Sequence, residues 1–127
     1  MNCLLDTCAF LWLALEPKRI PARAARAINA APRRLISFAT VWEITLKHSA
    51  GKLPLPATPR DWIPSRLDFF EITILPLETE VLFLSGELPP HHRDPFDRLI
   101  AAEGIHRRLP IVSADQPLAD LGANRVW

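Results

Sequence analysis

The sequence predicts a single α/β domain over residues 1–127, with a mostly parallel central sheet of about five strands flanked by helices. Short apolar or β-branched runs alternate with longer segments of helical character, which is the pattern of a parallel sheet with helical crossovers. The chain has 127 residues, of which 49% are hydrophobic and 23% are charged. These values are typical of one globular domain with its own core.

Strands are predicted where short runs of apolar residues end in turn residues. In chain order these runs cover residues 3–6, 34–37, 71–77, 109–113 and 125–127. The first run is apolar up to Asp6, which predicts a strand that is buried on both faces of the sheet.

Helices are predicted between these strands, and most have a recognisable start or stop residue. In chain order they cover residues 7–15, 21–31, 40–50, 60–70 and 78–86, a segment that begins at Asp94, and residues 117–121. The second is rich in alanine and ends before Pro32. Thr40 and Glu43 have the spacing of a capping box, which predicts the start of the third helix. The fourth is expected to be helical despite Pro64, although an interior proline costs ~3 kcal/mol. Asp94 is expected to be the N-cap of its helix, with Pro95 at the first helical position.

Composition limits the compartment and the partners. The sequence contains no run of about 18 apolar residues, so we expect no membrane span. The apolar N-terminal stretch contains Asp6 and lacks a basic region, so we expect a cytoplasmic protein without an export signal. Cys3 and Cys8 are too few for a disulfide framework and are expected to be reduced thiols. The net charge of +1 does not by itself indicate binding to a polyanion.

Four acidic residues are predicted to lie at one edge of the sheet. Asp6 ends the first strand, and Asp115 follows the fourth. Glu43 is expected in the first turn of the helix after the second strand, and Asp97 in the first turn of the helix that leads into the fourth. Ligand sites of open α/β sheets lie beyond the carboxyl ends of the strands. Each acid also has a local explanation, as a turn residue (Asp6), a cap (Glu43, Asp115) or a helix-dipole partner (Asp97).

Four carboxylates in one pocket would repel each other and raise one another's pKa values. A divalent cation removes this repulsion, and ligand sets made only of oxygen suit Mg²⁺ or Mn²⁺. Such an ion activates water and neutralises charge on a phosphodiester. The pattern therefore predicts metal-dependent hydrolysis of a phosphate ester.

Four short segments resemble those of a known family. They are DTCA at residues 6–9, WEI at 42–44 with Lys47, HHRDPFDRLIAA at 91–102 and SAD at 113–115. Together they resemble a PIN domain, and in particular the VapC-type ribonuclease toxins of bacterial toxin–antitoxin pairs. The resemblance covers essentially the whole chain, and DPFDR is its most specific part.

The resemblance implies four catalytic acids, namely Asp6, Glu43, Asp97 and Asp115. Among them it implies that Asp6 and Asp97 bind Mg²⁺ most directly, with Mn²⁺ as a possible substitute. It further implies an endoribonuclease toxin that cleaves a structured cellular RNA and stops translation, a cognate antitoxin whose tail occupies the active-site groove, and a homodimer. The chain departs from the family pattern at Ser113, where threonine is usual, and at Glu103-Gly104, where glutamine-alanine is usual.

The other polar residues of the 91–102 segment have open roles. Arg93 and Arg98 flank Asp97 and either contact RNA phosphates or form a solvated helix start. For His91 and His92, a structural or surface role is favoured over general acid catalysis, because metal-activated water needs no histidine base.

Two alternative functions remain open. One is an aspartyl-phosphate phosphotransferase or phosphatase that uses Asp6, although that chemistry requires a second acid where this chain has Cys8. The other is a PIN-like module that binds a partner or RNA without catalysis, for which Asp97→Asn would leave RNA turnover unchanged.

Overall fold

A five-stranded, wholly parallel sheet forms the centre of the computed structural model, which describes residues 1–127. The strands are β1 (Cys3–Leu5), β2 (Arg34–Ser37), β3 (Ile72–Leu75), β4 (Ile111–Val112) and β5 (Arg125–Val126). They lie in the order β3-β2-β1-β4-β5, so β1 is the central strand. Leu4 is in register with Leu35 of β2 on one side and with Ile111 of β4 on the other.

Seven helices cover the sheet, and a short 3-10 turn follows the first of them at Pro17–Arg19. The helices are α1 (Thr7–Leu15), α2 (Ala22–Ala30), α3 (Phe38–Ser49), α4 (Pro59–Phe70), α5 (Thr79–Glu87), α6 (Pro95–Arg107) and α7 (Pro117–Asp120). The predicted fold class is therefore confirmed. No helix combines the length and the apolar character that crossing a bilayer requires.

Successive residues of the central strand face opposite sides of the sheet. Leu4 packs in one buried cluster with residues of α6, and Leu5 packs in a second cluster with residues of α1 and α3. This alternation follows from the pleat of a strand. It explains why β1 is apolar at every position. Cys3 is buried, Cys8 is exposed, and both are free thiols, as predicted.

The predicted start of α3 is wrong. The helix begins at Phe38 with Ser37 as its N-cap, and the Ser37 side chain accepts a hydrogen bond from the amide of Ala39 at 3.0 Å. Thr40 is buried inside the helix, where its hydroxyl accepts a hydrogen bond of 3.2 Å from that of Thr7. Glu43 therefore lies in the second turn and caps nothing.

Two strands are shorter than predicted, and each is preceded by a left-handed residue that caps a helix. Glu71 is the left-handed C-cap of α4, with φ 54°, so β3 begins only at Ile72. Arg108 caps α6 in the same conformation, with φ 55°, and β4 begins at Ile111. α4 continues through Pro64, as predicted.

Gly104 marks the closest approach of α6 to the sheet. A Cβ atom at this position would lie 2.6 Å from Cδ1 and 2.7 Å from Cγ1 of Ile111. Real contacts of this kind do not occur, so the absence of a side chain allows α6 to pack onto β4. The glycine is unfavourable for the helix by ~1 kcal/mol relative to alanine, and this packing explains why it stands there.

Candidate functional site

Five carboxylates line one cavity of about 300 Å³ at the carboxyl edge of the sheet. They belong to Asp6, Glu43, Asp94, Asp97 and Asp115. The structure thus brings together all four acids that the sequence singled out and adds the helix cap Asp94. Their convergence follows from the parallel strands, because Asp6 directly follows β1 and Asp115 follows the neighbouring β4.

Asp6 is held in place by two hydrogen bonds. Its Oδ1 accepts from the amide of Ala9 at 2.8 Å, which makes Asp6 the N-cap of α1. Its Oδ2 accepts from the hydroxyl of Ser113 at 2.5 Å. Burial raises the pKa of Asp6 to about 6, although both hydrogen bonds favour the charged form and oppose this rise. The charges of Asp115 and Glu43 raise the pKa further.

Asp97 lies in the first turn of α6. Asp94 is the N-cap of this helix, as predicted, and its Oδ1 accepts from the amides of Phe96 at 2.8 Å and Asp97 at 3.3 Å. Burial raises the pKa of Asp97 to about 8, and the charges of Asp94, Asp115 and the other site acids add to this effect. The pKa of Asp97 therefore lies above neutral pH.

Glu43 is buried, with 5% of its surface exposed. Its Oε2 accepts a hydrogen bond from the ammonium of Lys47, one turn later in α3, at 2.5 Å. This contact raises the pKa of Lys47. The other oxygen, Oε1, is buried and has no hydrogen-bond partner.

Ser113 links the ends of β1 and β4, the strands that Asp6 and Asp115 follow. Its hydroxyl donates to Asp6 and accepts from the amide of Asp115 at 2.9 Å. The explanation of Asp115 as an N-cap is wrong, because Gln116 occupies that position and makes no side-chain cap. The carboxylate of Asp115 is therefore available to the cavity.

His92 lies against the acidic cluster, which the sequence did not reveal. Its Nε2 is 3.2 Å from Oδ2 of Asp97 and 3.6 Å from Oδ2 of Asp115. This nitrogen is buried but makes no hydrogen bond. Of the structural or surface role expected for His92, only the surface alternative is therefore wrong, whereas His91 is exposed, as expected. The only signal in the sequence is the position of His92 two residues before the N-cap of α6.

Arg98 holds the loop that contains His92. All five of its N–H donors are used in hydrogen bonds of 2.7–3.0 Å. The acceptors are the backbone carbonyls of Ser85, Leu88, Pro89 and His92. No donor remains for phosphate, so both a phosphate contact and a solvated helix start are wrong for Arg98. Arg93 is exposed, and its role remains a prediction.

The model of one protein family matches residues 3–124, and its description is "PIN domain". The chain belongs to the PIN domain family. No curated protein matches it in sequence.

Several solved structures contain chains with the same fold as this PIN domain. A chain of VapBC2 from Rickettsia felis, bound to a DNA fragment from their promoter, is 16% identical, with a TM-score of 0.69 and complete coverage of both chains. A chain of VapBC-1 from nontypeable Haemophilus influenzae is 17% identical, with a TM-score of 0.65 over 98% of this chain and 96% of that one. A chain of a toxin–antitoxin complex from Klebsiella pneumoniae is 18% identical, with a TM-score of 0.61 over 89% and 86%. At these identities the likeness is one of fold.

The donor set of this PIN domain suits a divalent cation. The cavity gathers carboxylates whose mutual repulsion is only partly relieved by Lys47. Glu43 contributes a buried oxygen without a partner. Crowded carboxylate oxygens are the ligands that hard divalent cations prefer, so the residues present fit such an ion.

Proposed function

We propose that this PIN domain is a metal-dependent endoribonuclease that hydrolyses RNA phosphodiester bonds, with Mg²⁺ as its cofactor and Mn²⁺ as a substitute. The observation that carries the proposal is the cavity of five carboxylates. Burial and neighbouring negative charge make ionisation of Asp6 and Asp97 unfavourable there. A bound cation would reverse that disadvantage.

We assign the metal to Asp6 and Asp97, with Glu43 and Asp115 completing the acidic set. Each oxygen of Asp6 accepts only one hydrogen bond, so each retains a lone pair for a ligand bond. When bound, the cation neutralises charge on the phosphodiester and lowers the pKa of water.

We assign to Glu43 the role of orienting the attacking water. The ammonium of Lys47 holds Oε2, whereas Oε1 has no partner and can accept a hydrogen bond from water. In this assignment Oε1 also takes the proton that the water loses. In this proposal Arg93, which is exposed in the loop before α6, contacts RNA phosphates whatever the base sequence of the RNA.

We further propose that the protein is the toxin of a toxin–antitoxin pair, that it acts in the cytoplasm and that it forms a homodimer. Its fold is that of chains found in VapBC and toxin–antitoxin complexes, which supports a cognate antitoxin as partner. Large apolar side chains are exposed, among them Phe69 at 68% and Phe83 at 63%. An antitoxin or a second protomer would cover such surface.

The test is RNA cleavage by the purified protein with Mg²⁺, with EDTA, and as the variant Asp97→Asn. Of these three conditions, only the unmodified protein with Mg²⁺ is expected to cleave RNA. Asp68→Asn is the matched control, because Asp68 is exposed on α4 outside the cavity, and it should cleave normally. Equal cleavage in all conditions would contradict the proposal.

The same experiment separates the alternatives. A binding module without catalysis would bind RNA and leave it intact under every condition. A phosphotransferase would leave RNA intact as well and would form a phosphoenzyme on Asp6, which mass spectrometry of the protein would detect. An antitoxin encoded in an adjacent reading frame should restore growth when it is co-expressed with this protein.

A further inference from the structure

We propose that His92 is a further metal ligand through Nε2, which together with Asp97 and Asp115 makes the site a mixed imidazole–carboxylate centre. This inference rests on the proposed function, because it concerns the same cavity and shares Asp97 with the ligands assigned above. It changes the donor chemistry of the site and therefore the ion that the site prefers.

The spacing of the three donor atoms carries the inference. One atom from each residue lies within 4.8 Å of the other two. Nε2 of His92 is 3.2 Å from Asp97 and 3.6 Å from Asp115. Ligands at ~2.1 Å from one ion lie roughly 3 Å apart when adjacent in an octahedron and roughly 4 Å apart when opposite. All three atoms could therefore reach a single ion without a change of backbone.

Two buried polar atoms without hydrogen bonds also support a metal ion beside His92. Nε2 is buried without a hydrogen bond, although it faces two carboxylates. Oε1 of Glu43, in the same cavity, is also buried and without a partner. Buried polar atoms are normally satisfied, so two such atoms beside one acidic cluster indicate that the cluster binds a ligand.

The fold holds His92 at this position. The backbone oxygen of His92 accepts a hydrogen bond of 2.8 Å from Nη1 of Arg98. Arg98 also binds carbonyls of α5 and the following loop, so these hydrogen bonds fix the backbone of His92 relative to α6. A ligand that is held by other contacts before metal binding loses little freedom when the ion arrives.

A nitrogen ligand predicts a preference among ions. Oxygen ligands suit Mg²⁺ and Mn²⁺ alike, whereas imidazole favours first-row transition ions. We therefore expect Mn²⁺ to bind more tightly than Mg²⁺, and we expect this preference to depend on His92. The contrasting arrangement is an ion pair between a protonated His92 and Asp97, in which the imidazole does not contact the metal.

Pulsed electron paramagnetic resonance of Mn²⁺ added to the full chain distinguishes these arrangements. We expect echo modulation from a directly bonded ¹⁴N nucleus in the unmodified protein and in His91→Ala, and no such modulation in His92→Ala. His91 is the matched control because it is adjacent but exposed. By calorimetric titration, His92→Ala should weaken Mn²⁺ binding about tenfold or more and should change Mg²⁺ binding much less.

The outcomes separate this inference from the proposed function. If Mn²⁺ binds and Asp97→Asn abolishes the binding, but no ¹⁴N modulation appears, the role of His92 is overturned and the carboxylate site stands. If Mn²⁺ does not bind at all, both are overturned. Modulation that persists in a folded His92→Ala variant also overturns the role of His92. If that variant does not fold, the unmodified protein and His91→Ala decide the question, because absence of ¹⁴N modulation in both overturns it.

Discussion

Replacement of Arg98 by lysine should loosen the loop that borders the acidic cavity. The guanidinium donates five hydrogen bonds to four carbonyls that belong to α5 and the following loop. Lysine keeps the positive charge but has only three donors, all on one atom. The substitution therefore tests the planar geometry of Arg98 and not its charge.

The expected loss of stability follows from these bonds. A lysine ammonium can reach about two of the carbonyls, which leaves about three bonds unmade. Each bond lies in a partly solvated setting and contributes about 1 kcal/mol, and an unpaired carbonyl adds to the loss. We expect Arg98→Lys to lower the free energy of unfolding by about 2–4 kcal/mol.

Arg93→Lys is the matched control for this change. Arg93 is in the same segment and has the same side chain, but it is exposed and makes no hydrogen bond in the structure. Its substitution should change stability by less than about 0.5 kcal/mol. Urea titration in EDTA measures both variants. Equal stability of the two variants would refute the structural role of Arg98.

Three further predictions concern packing, pH and the serine link. In thermal unfolding, Gly104→Ala should destabilise the protein by about 1–3 kcal/mol, because the added methyl overlaps Ile111 of the sheet. The control Gly86→Ala, which has open space around it, should stabilise the protein by about 0.5–1 kcal/mol. The pKa values of Asp97 and Asp6 are raised to about 8 and about 6 in the folded state, so in EDTA stability should fall as pH rises from about 4 to about 8. Asp97→Asn should flatten the dependence of stability on pH between about 6 and about 8. An unchanged slope in that range would contradict the effect of burial on the pKa of Asp97. Ser113→Ala should cost about 1–3 kcal/mol in urea titration, because it leaves an oxygen of Asp6 unpaired.

Local signals in the sequence predicted most elements of the fold. Asp94 followed by proline marked the start of α6, and the apolar run before Asp6 marked the central strand. Both signals act over a few residues, which is the range that sequence patterns describe. The edge on which the acids meet followed from the parallel arrangement of the strands.

The start of α3 could not be decided locally. Ser37 and Thr40 are both residues that cap helices, and Thr40 also has a glutamate at the appropriate spacing. The structure selects Ser37, because Thr40 is drawn into a buried hydrogen bond with Thr7, 33 residues earlier. A contact between residues so distant in sequence leaves no periodic signal.

The position of His92 was missed for a similar reason. The loop before α6 has no regular pattern, and its course is set by the hydrogen bonds of Arg98 to α5 and to the loop itself. Sequence alone presented Arg98 as a charged residue beside the candidate catalytic acid Asp97. Only the three-dimensional arrangement shows that its donors are all consumed by the backbone.

The link between Ser113 and Asp6 joins positions 107 residues apart. β1 likewise needs β4 as its neighbour, so its second edge stays open until the last fifth of the chain is available. A polypeptide still being synthesised therefore carries the first acid long before it can assemble the complete centre. The order of translation itself therefore postpones the complete acidic cavity until Asp115 has been synthesised.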